Sequence, residues 1–159
     1  MKTTRRAFTV FSVVFMAACA TGTAPKKDFA TMMVESYAKT VEAQPNLSPR
    51  LRGLVGVWEG VWIADWGRTD TLTARLVVET VSEETANVVY MWYPGGSYEA
   101  GWRRVYAKIV NRDTITWSST ASDGREIVFS FQMSQDLKTL QAKRTYGGWP
   151  VHTTMRRVQ

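Results

Sequence analysis

A chain of 159 residues with a formal net charge of +6 and 45% hydrophobic residues has room for one compact domain with a real core. Its single cysteine, Cys19, excludes an internal disulfide and a multi-thiolate metal site. Three of the positive charges, Lys2, Arg5 and Arg6, crowd the first six residues, and without them the charge falls to +3, which removes most of the argument for a nucleic-acid surface.

Residues 1–18 read as a secretory signal: a basic start followed by the apolar run Ala7 to Ala18, too short to span a bilayer as a helix. Ala17-Ala18-Cys19 resembles the lipobox of bacterial lipoproteins, with Met16 where that family usually has Leu. The resemblance implies that Cys19 is lipidated and becomes the new N-terminus. The alternative is a soluble periplasmic protein cut nearby with a leftover thiol, but an unpaired thiol in an oxidising compartment invites wrong pairing. Two or three acyl chains make a stable anchor at about 0.8 kcal/mol per buried CH₂. Thr4-Arg5-Arg6-Ala7-Phe8 resembles the twin-arginine export motif, the alternative being an ordinary basic leader with two adjacent arginines. Ala20, rather than Asp, after the cysteine implies by the same lipoprotein resemblance the periplasmic face of the outer membrane rather than the inner membrane.

After the signal, residues 19–50 form a lipidated tether with a short amphipathic helix, and residues 51–159 a β-barrel domain. Residues 21–27 are small, polar and basic, as a spacer requires. Asp28 caps a helix predicted over 28–42, where Phe29, Met33, Tyr37 and Val41 recur at i+4 on one stripe, and Pro45 and Pro49 stop it. From Leu51 the period becomes alternating, with turn signals about every ten residues. The pattern predicts eight strands, at 54–65, 71–81, 86–93, 102–110, 114–119, 126–133, 137–146 and 151–158. The links are too short for parallel returns, so the strands form an antiparallel up-and-down meander. Closing it into a barrel removes both exposed edges.

Gly56-Val57-Trp58 resembles the Gly-x-Trp signature that opens the first strand of the calycins, the group of lipocalins, fatty-acid-binding proteins and avidins. The resemblance implies that Trp58 plugs one end of the barrel and that an arginine of the last strand, Arg156 or Arg157, packs across it. A guanidinium over an indole contributes about 0.5 to 2 kcal/mol. The lipocalins' other short motifs are missing, so the domain is better described as lipocalin-like.

Inward Trp58 places Gly60 and Trp62 on the same face, and predicts Leu72, Ala74, Leu76, Val78, Ile127, Phe129 and Phe131 inside. Strands three and four look apolar on both sides, with Val88, Tyr90 and Trp92 against Val89, Met91 and Tyr93, followed by Trp102, Arg104 and Tyr106. Such strands need an outer cover, for which the helix at 28–42 is the favoured choice. Aromatics gather at one end, and Trp62, Trp66, Tyr90, Trp92, Tyr98 and Trp102 are the expected lining of a ligand mouth. The competing expectation is that these rings simply fill a small barrel.

Catalysis has no constellation to rest on. His152 is the sole histidine and has no nucleophile pattern near it, and Asp65, Asp70, Glu79, Glu83, Glu84 and Glu99 lack ligand spacing. Asp113 and Asp123 fit turn positions, and the basic pairs Arg103-Arg104, Lys143-Arg144 and Arg156-Arg157 fit solvated strand faces. The expectation is therefore a non-enzymatic lipoprotein of the cell envelope, without cofactor or metal, whose partners are the membrane and a small apolar or amphipathic ligand carried by the barrel. The alternative is an accessory lipoprotein with a filled barrel that meets protein or glycan through its outer surface. Replacing Cys19 by Ser should move the folded protein from the membrane to the soluble fraction on cell fractionation; a variant that stays membrane-bound overturns the lipid anchor.

Overall fold

The computed structural model describes residues 43–63, 71–93 and 100–158. The signal, Cys19, the tether and the helix predicted over 28–42 lie outside them. The first element is a short helix, α1 (Pro49–Leu54), that the sequence reading did not anticipate. Pro49 was expected to stop a helix. It starts one instead, because the missing N–H of a proline is no loss in the first turn, and Ser48 caps that turn by accepting from the Leu51 N–H.

Eight strands follow: β1 (Gly56–Ile63), β2 (Thr71–Val81), β3 (Thr85–Trp92), β4 (Gly101–Val110), β5 (Thr114–Thr120), β6 (Glu126–Met133), β7 (Thr139–Tyr146) and β8 (Trp149–Arg157). Each pairs antiparallel with the next and β8 returns to β1, giving a closed up-and-down barrel. Turns with positive φ at both central residues, Asn111-Arg112 in the three-residue β4–β5 link and Gly147-Gly148 in the two-residue β7–β8 link, match the right-handed strand twist. A bulge between Val78 and Thr80 resets the face of β2, so that Val81 points inward while Glu79 reaches out to Arg104 at 2.8 Å.

The chain-entry end of the barrel is sealed. Trp58 is fully buried there, its indole N–H donating to the Leu54 carbonyl at 2.9 Å. Arg157 stacks over the indole at 4.3 Å and donates to the carbonyls of Val55 at 2.7 Å and Gly53 at 2.5 Å. Arg157 is thus the closing arginine, whereas Arg156 pairs with Glu59 in register and is exposed on the outer face. Gly56 makes this possible in two ways. Its φ of +141° suits glycine, and a Cβ there would strike the Arg157 guanidinium. The buried carboxylate of Asp113 ties the β4–β5 turn to α1 through Arg50 at 2.8 Å, a longer-range role than the local turn bonding expected of it.

A second apolar cluster lies on the outside of the wall. Val57, Val77 and Val89 are neighbours in register across β1 to β3, and Val77, Val89 and Met91 are at most 1% exposed although they point away from the interior. The doubly apolar reading holds for β3. It does not extend to β4, whose outer residues Trp102 and Tyr106 are 42% and 71% exposed. Val77→Ala and Val89→Ala should each lower the unfolding free energy by about 1.5 kcal/mol in urea titrations, as for core positions that lose two buried carbons; a change within about 0.5 kcal/mol would mark them as ordinary surface residues.

Candidate functional site

The far end of the barrel is ringed by the ends of β1, β3, β5 and β7. Its floor is aromatic. Trp117 stacks on Phe129 at 4.9 Å and on Phe131 at 5.1 Å, while Tyr90 meets Phe129 at 5.1 Å and Trp117 at 5.8 Å. Trp62 closes the layer edge-on to Phe131 at 6.3 Å. Rings from β1, β3, β5 and β6 therefore meet across the axis, and the middle of the barrel is filled.

The register decides which predicted site residues reach this layer. Trp62 and Tyr90 are buried in it, and the Trp62 N–H donates to the Tyr90 hydroxyl at 2.9 Å. Trp92, half-buried above Tyr90 at 5.9 Å, also faces inward, and Gly101 opposite leaves room for its ring, which a Cβ would strike. Trp102 does not belong to the site. It pairs with Met91, whose side chain is on the outer wall, and is itself exposed outside. Trp66 and Tyr98 lie outside the described residues.

Sequence reasoning missed the cationic part of the mouth. Arg103 pairs in register with Tyr90, and Arg144 with Phe129 and Val151, so both face inward. Arg103 lies over the Trp92 ring at 5.6 Å and Arg144 over the Trp62 ring at 5.4 Å. Each basic dipeptide is split by strand alternation: Arg104 and Lys143 point out, Arg103 and Arg144 point in. The signal was present in the two-residue spacing to Val105 and Ala142, which face the interior.

Three buried atoms of this region, Trp117 Nε1, Ser119 Oγ and Arg144 Nε, have no hydrogen-bond partner. A buried polar group left unsatisfied costs about 1–3 kcal/mol, so they mark either strain or a place for a guest. Burial pushes the Tyr90 hydroxyl up to about 12, against the opposing pull of Arg144, its bond from Trp62, and Arg103. At the rim, Asp123 is engaged by Arg125 and Tyr146, and Arg125 stacks on the Tyr146 ring at 4.2 Å. Those bonds, first from Arg125 and then from Tyr146, hold the Asp123 carboxyl well below the usual carboxylate range.

No family model and no curated protein matches the chain. A likeness appears among solved structures. The barrel is similar to a redesigned β-barrel, with a TM-score of 0.54 at 12% identity over 69% of this chain and 96% of the other. That likeness supports the fold and carries nothing about function.

Two open grooves made by described residues lie outside the mouth. One, of about 460 Å³, runs over the outer faces of β6 to β8 past Gln132, Lys143, His152 and Thr154. The other, of about 530 Å³, lies beside α1 and the β4–β5 and β6–β7 turns. His152 is exposed on the outer wall opposite Lys143, on the other side of the sheet from the aromatic floor.

Below about pH 10 the Tyr90 hydroxyl is neutral in both folded and unfolded chains; above it the unfolded chain loses the proton first, so stability falls between about pH 10 and the folded value of about 12. Tyr90→Phe should cost about 1–3 kcal/mol at neutral pH by orphaning the Trp62 N–H, and its deficit against the wild type should shrink as pH rises toward about 12. Denaturant titrations at a series of pH values check this, and a deficit that stays constant with pH counts against it.

Proposed function

We propose that this protein is a non-catalytic binding module of the bacterial cell envelope, tethered through a lipid on Cys19, whose lipocalin-like barrel takes a small amphipathic ligand at its open mouth. The observation that carries the reading is the unsatisfied polar set of Trp117 Nε1, Ser119 Oγ and Arg144 Nε beside the Trp62, Tyr90 and Trp92 rings. Apolar walls with a few convergent polar groups are the usual make-up of small-molecule sites. Because the middle of the barrel is filled, the ligand sits at the mouth and does not thread the axis. The tether rests on the lipobox resemblance around Cys19, the twin-arginine-like leader supports export, and Ala20 after the cysteine favours the periplasmic face of the outer membrane.

A second reading is favoured by the filled middle and the groove on β6 to β8. In it the protein is an accessory lipoprotein that works through its outer wall on protein or glycan, and the mouth is only packing. Tryptophan fluorescence of the purified protein against lipid, haem-like, small aromatic and glycan panels separates the two. The mouth reading expects a spectral change that Trp92→Ala reduces about tenfold in affinity or abolishes. No response in any panel, together with no co-purifying small molecule in native mass spectrometry, would sink it; a response that Gln132→Ala removes and Trp92→Ala leaves intact favours the outer groove.

A further inference from the structure

We propose that the mouth is an anion site in which Arg103 and Arg144 take the carboxylate or phosphate of a compact organic acid, with its apolar body against the Trp92, Tyr90 and Trp62 rings. The inference rests on the mouth being the binding region and adds the charge and the size of its occupant.

The charge follows from what the arginines lack. Arg50, Arg75, Arg104 and Arg125 are each ion-paired, with Asp113, Glu59, Glu79 and Asp123. Arg157 is spent on two carbonyls and an indole. Arg103 and Arg144 point into the barrel, and no carboxylate of a described residue lies against either. Each meets an aromatic face instead, and one guanidinium nitrogen of Arg144 is buried without a partner. Arg144 is half-buried and Arg103 exposed, so only Arg144 carries a desolvation cost that a guest anion relieves, while both offer it charge-assisted hydrogen bonds.

The neighbouring polar atoms have the same polarity. Trp117 Nε1 can only donate. The Tyr90 hydroxyl already accepts from Trp62, so its own proton is the part left to offer, and Ser119 Oγ can donate as well. Burial keeps that Tyr90 proton in place across the physiological range. A set of donors around two cations fits an anion; a neutral sugar would need acceptors too, and a cation would be repelled.

The size follows from the floor. Phe129, Trp117 and Phe131 lie in stacked contact across the axis, and Phe131 is fully buried beneath Trp62. A long acyl chain could enter only by displacing this layer. A planar or short body can lie on it.

Isothermal titration of the full chain with 2-naphthoate, its neutral isostere 2-naphthamide, dodecanoate, acetate and inorganic phosphate tests both parts. Naphthoate should bind about tenfold or more tightly than naphthamide, and Arg103→Gln and Arg144→Gln should each erase most of that difference. Should either variant fail to fold, the wild type still decides: raising salt from about 20 mM to about 500 mM should weaken naphthoate and leave naphthamide unaffected. Equal affinity for naphthoate and naphthamide overturns the anion site but leaves the mouth as a binding region. Tighter binding of dodecanoate than of naphthoate overturns the compact body, and acetate or phosphate binding as tightly as naphthoate shows that free anions suffice and removes the apolar contact. No binding of any probe overturns the inference together with the mouth reading.

Discussion

The structure depends on the stack of Arg157 over Trp58. One guanidinium covers the buried indole and bonds the carbonyls of Val55 and Gly53, so three contacts fix the last strand, the first strand and α1 to one another. The fit needs Gly56, since any side chain there would occupy the space of the guanidinium. It also needs Gly60, where a Cβ would lie 2.9 Å from Met155 Cγ and push β8 off β1. Two glycines four residues apart on the same face of β1 therefore let the first and last strands come close enough to close a barrel without a disulfide. Everything at the mouth is positioned from this sealed end, because register along each strand is counted from it.

The interior divides into two halves of different chemistry. Near Trp58 the filling is aliphatic and thioether, with Leu54, Leu76, Met133, Leu140 and Met155 almost wholly buried. Beyond Phe131 it becomes aromatic and then cationic. Aliphatic side chains satisfy nothing polar and need nothing, so the sealed half is complete as it stands. The aromatic half ends in donors that no described residue answers, and that difference between the two ends makes the mouth the place to look for a guest.

How far this was legible from the residues depended on which rule a position obeyed. The strand count, the closed antiparallel order and the inward faces of β1, β2 and β6 followed from two-residue alternation, and the role of Gly56 and Trp58 from a three-residue signature. Choosing Arg157 over Arg156 needed the register Trp58 to Arg157, which no local pattern contains. Trp102 was misplaced because aromatic character was allowed to outrank parity: Val105 and Ala107 face inward, so Trp102, at an odd offset from both, cannot. Adjacent basic residues suggested solvated patches, yet on a barrel wall two neighbours in sequence lie on opposite sides of a sheet. The helix Pro49–Leu54 was hidden by a proline whose effect depends on whether it stands in the first turn or later. Val89 and Met91 show the converse case, in which the residues announced burial correctly on a face that the barrel itself does not bury, whereas the buried outer Val77 was hidden in a strand that read as cleanly alternating.

The pairing of β1 with β8 has a consequence for how the chain can fold. Neighbouring strands are joined by short links and can zip locally, but this one seam joins residues about a hundred positions apart, as the bond from the Val158 N–H to the Val57 carbonyl shows. Until Trp149–Arg157 is in place, β1 and β7 each present an unpaired edge, and the Trp58 indole lacks its cover. No smaller piece of the barrel is a finished object. Folding is consequently committed by the last strand, and a chain held short of it exposes two edges ready to pair with a neighbour.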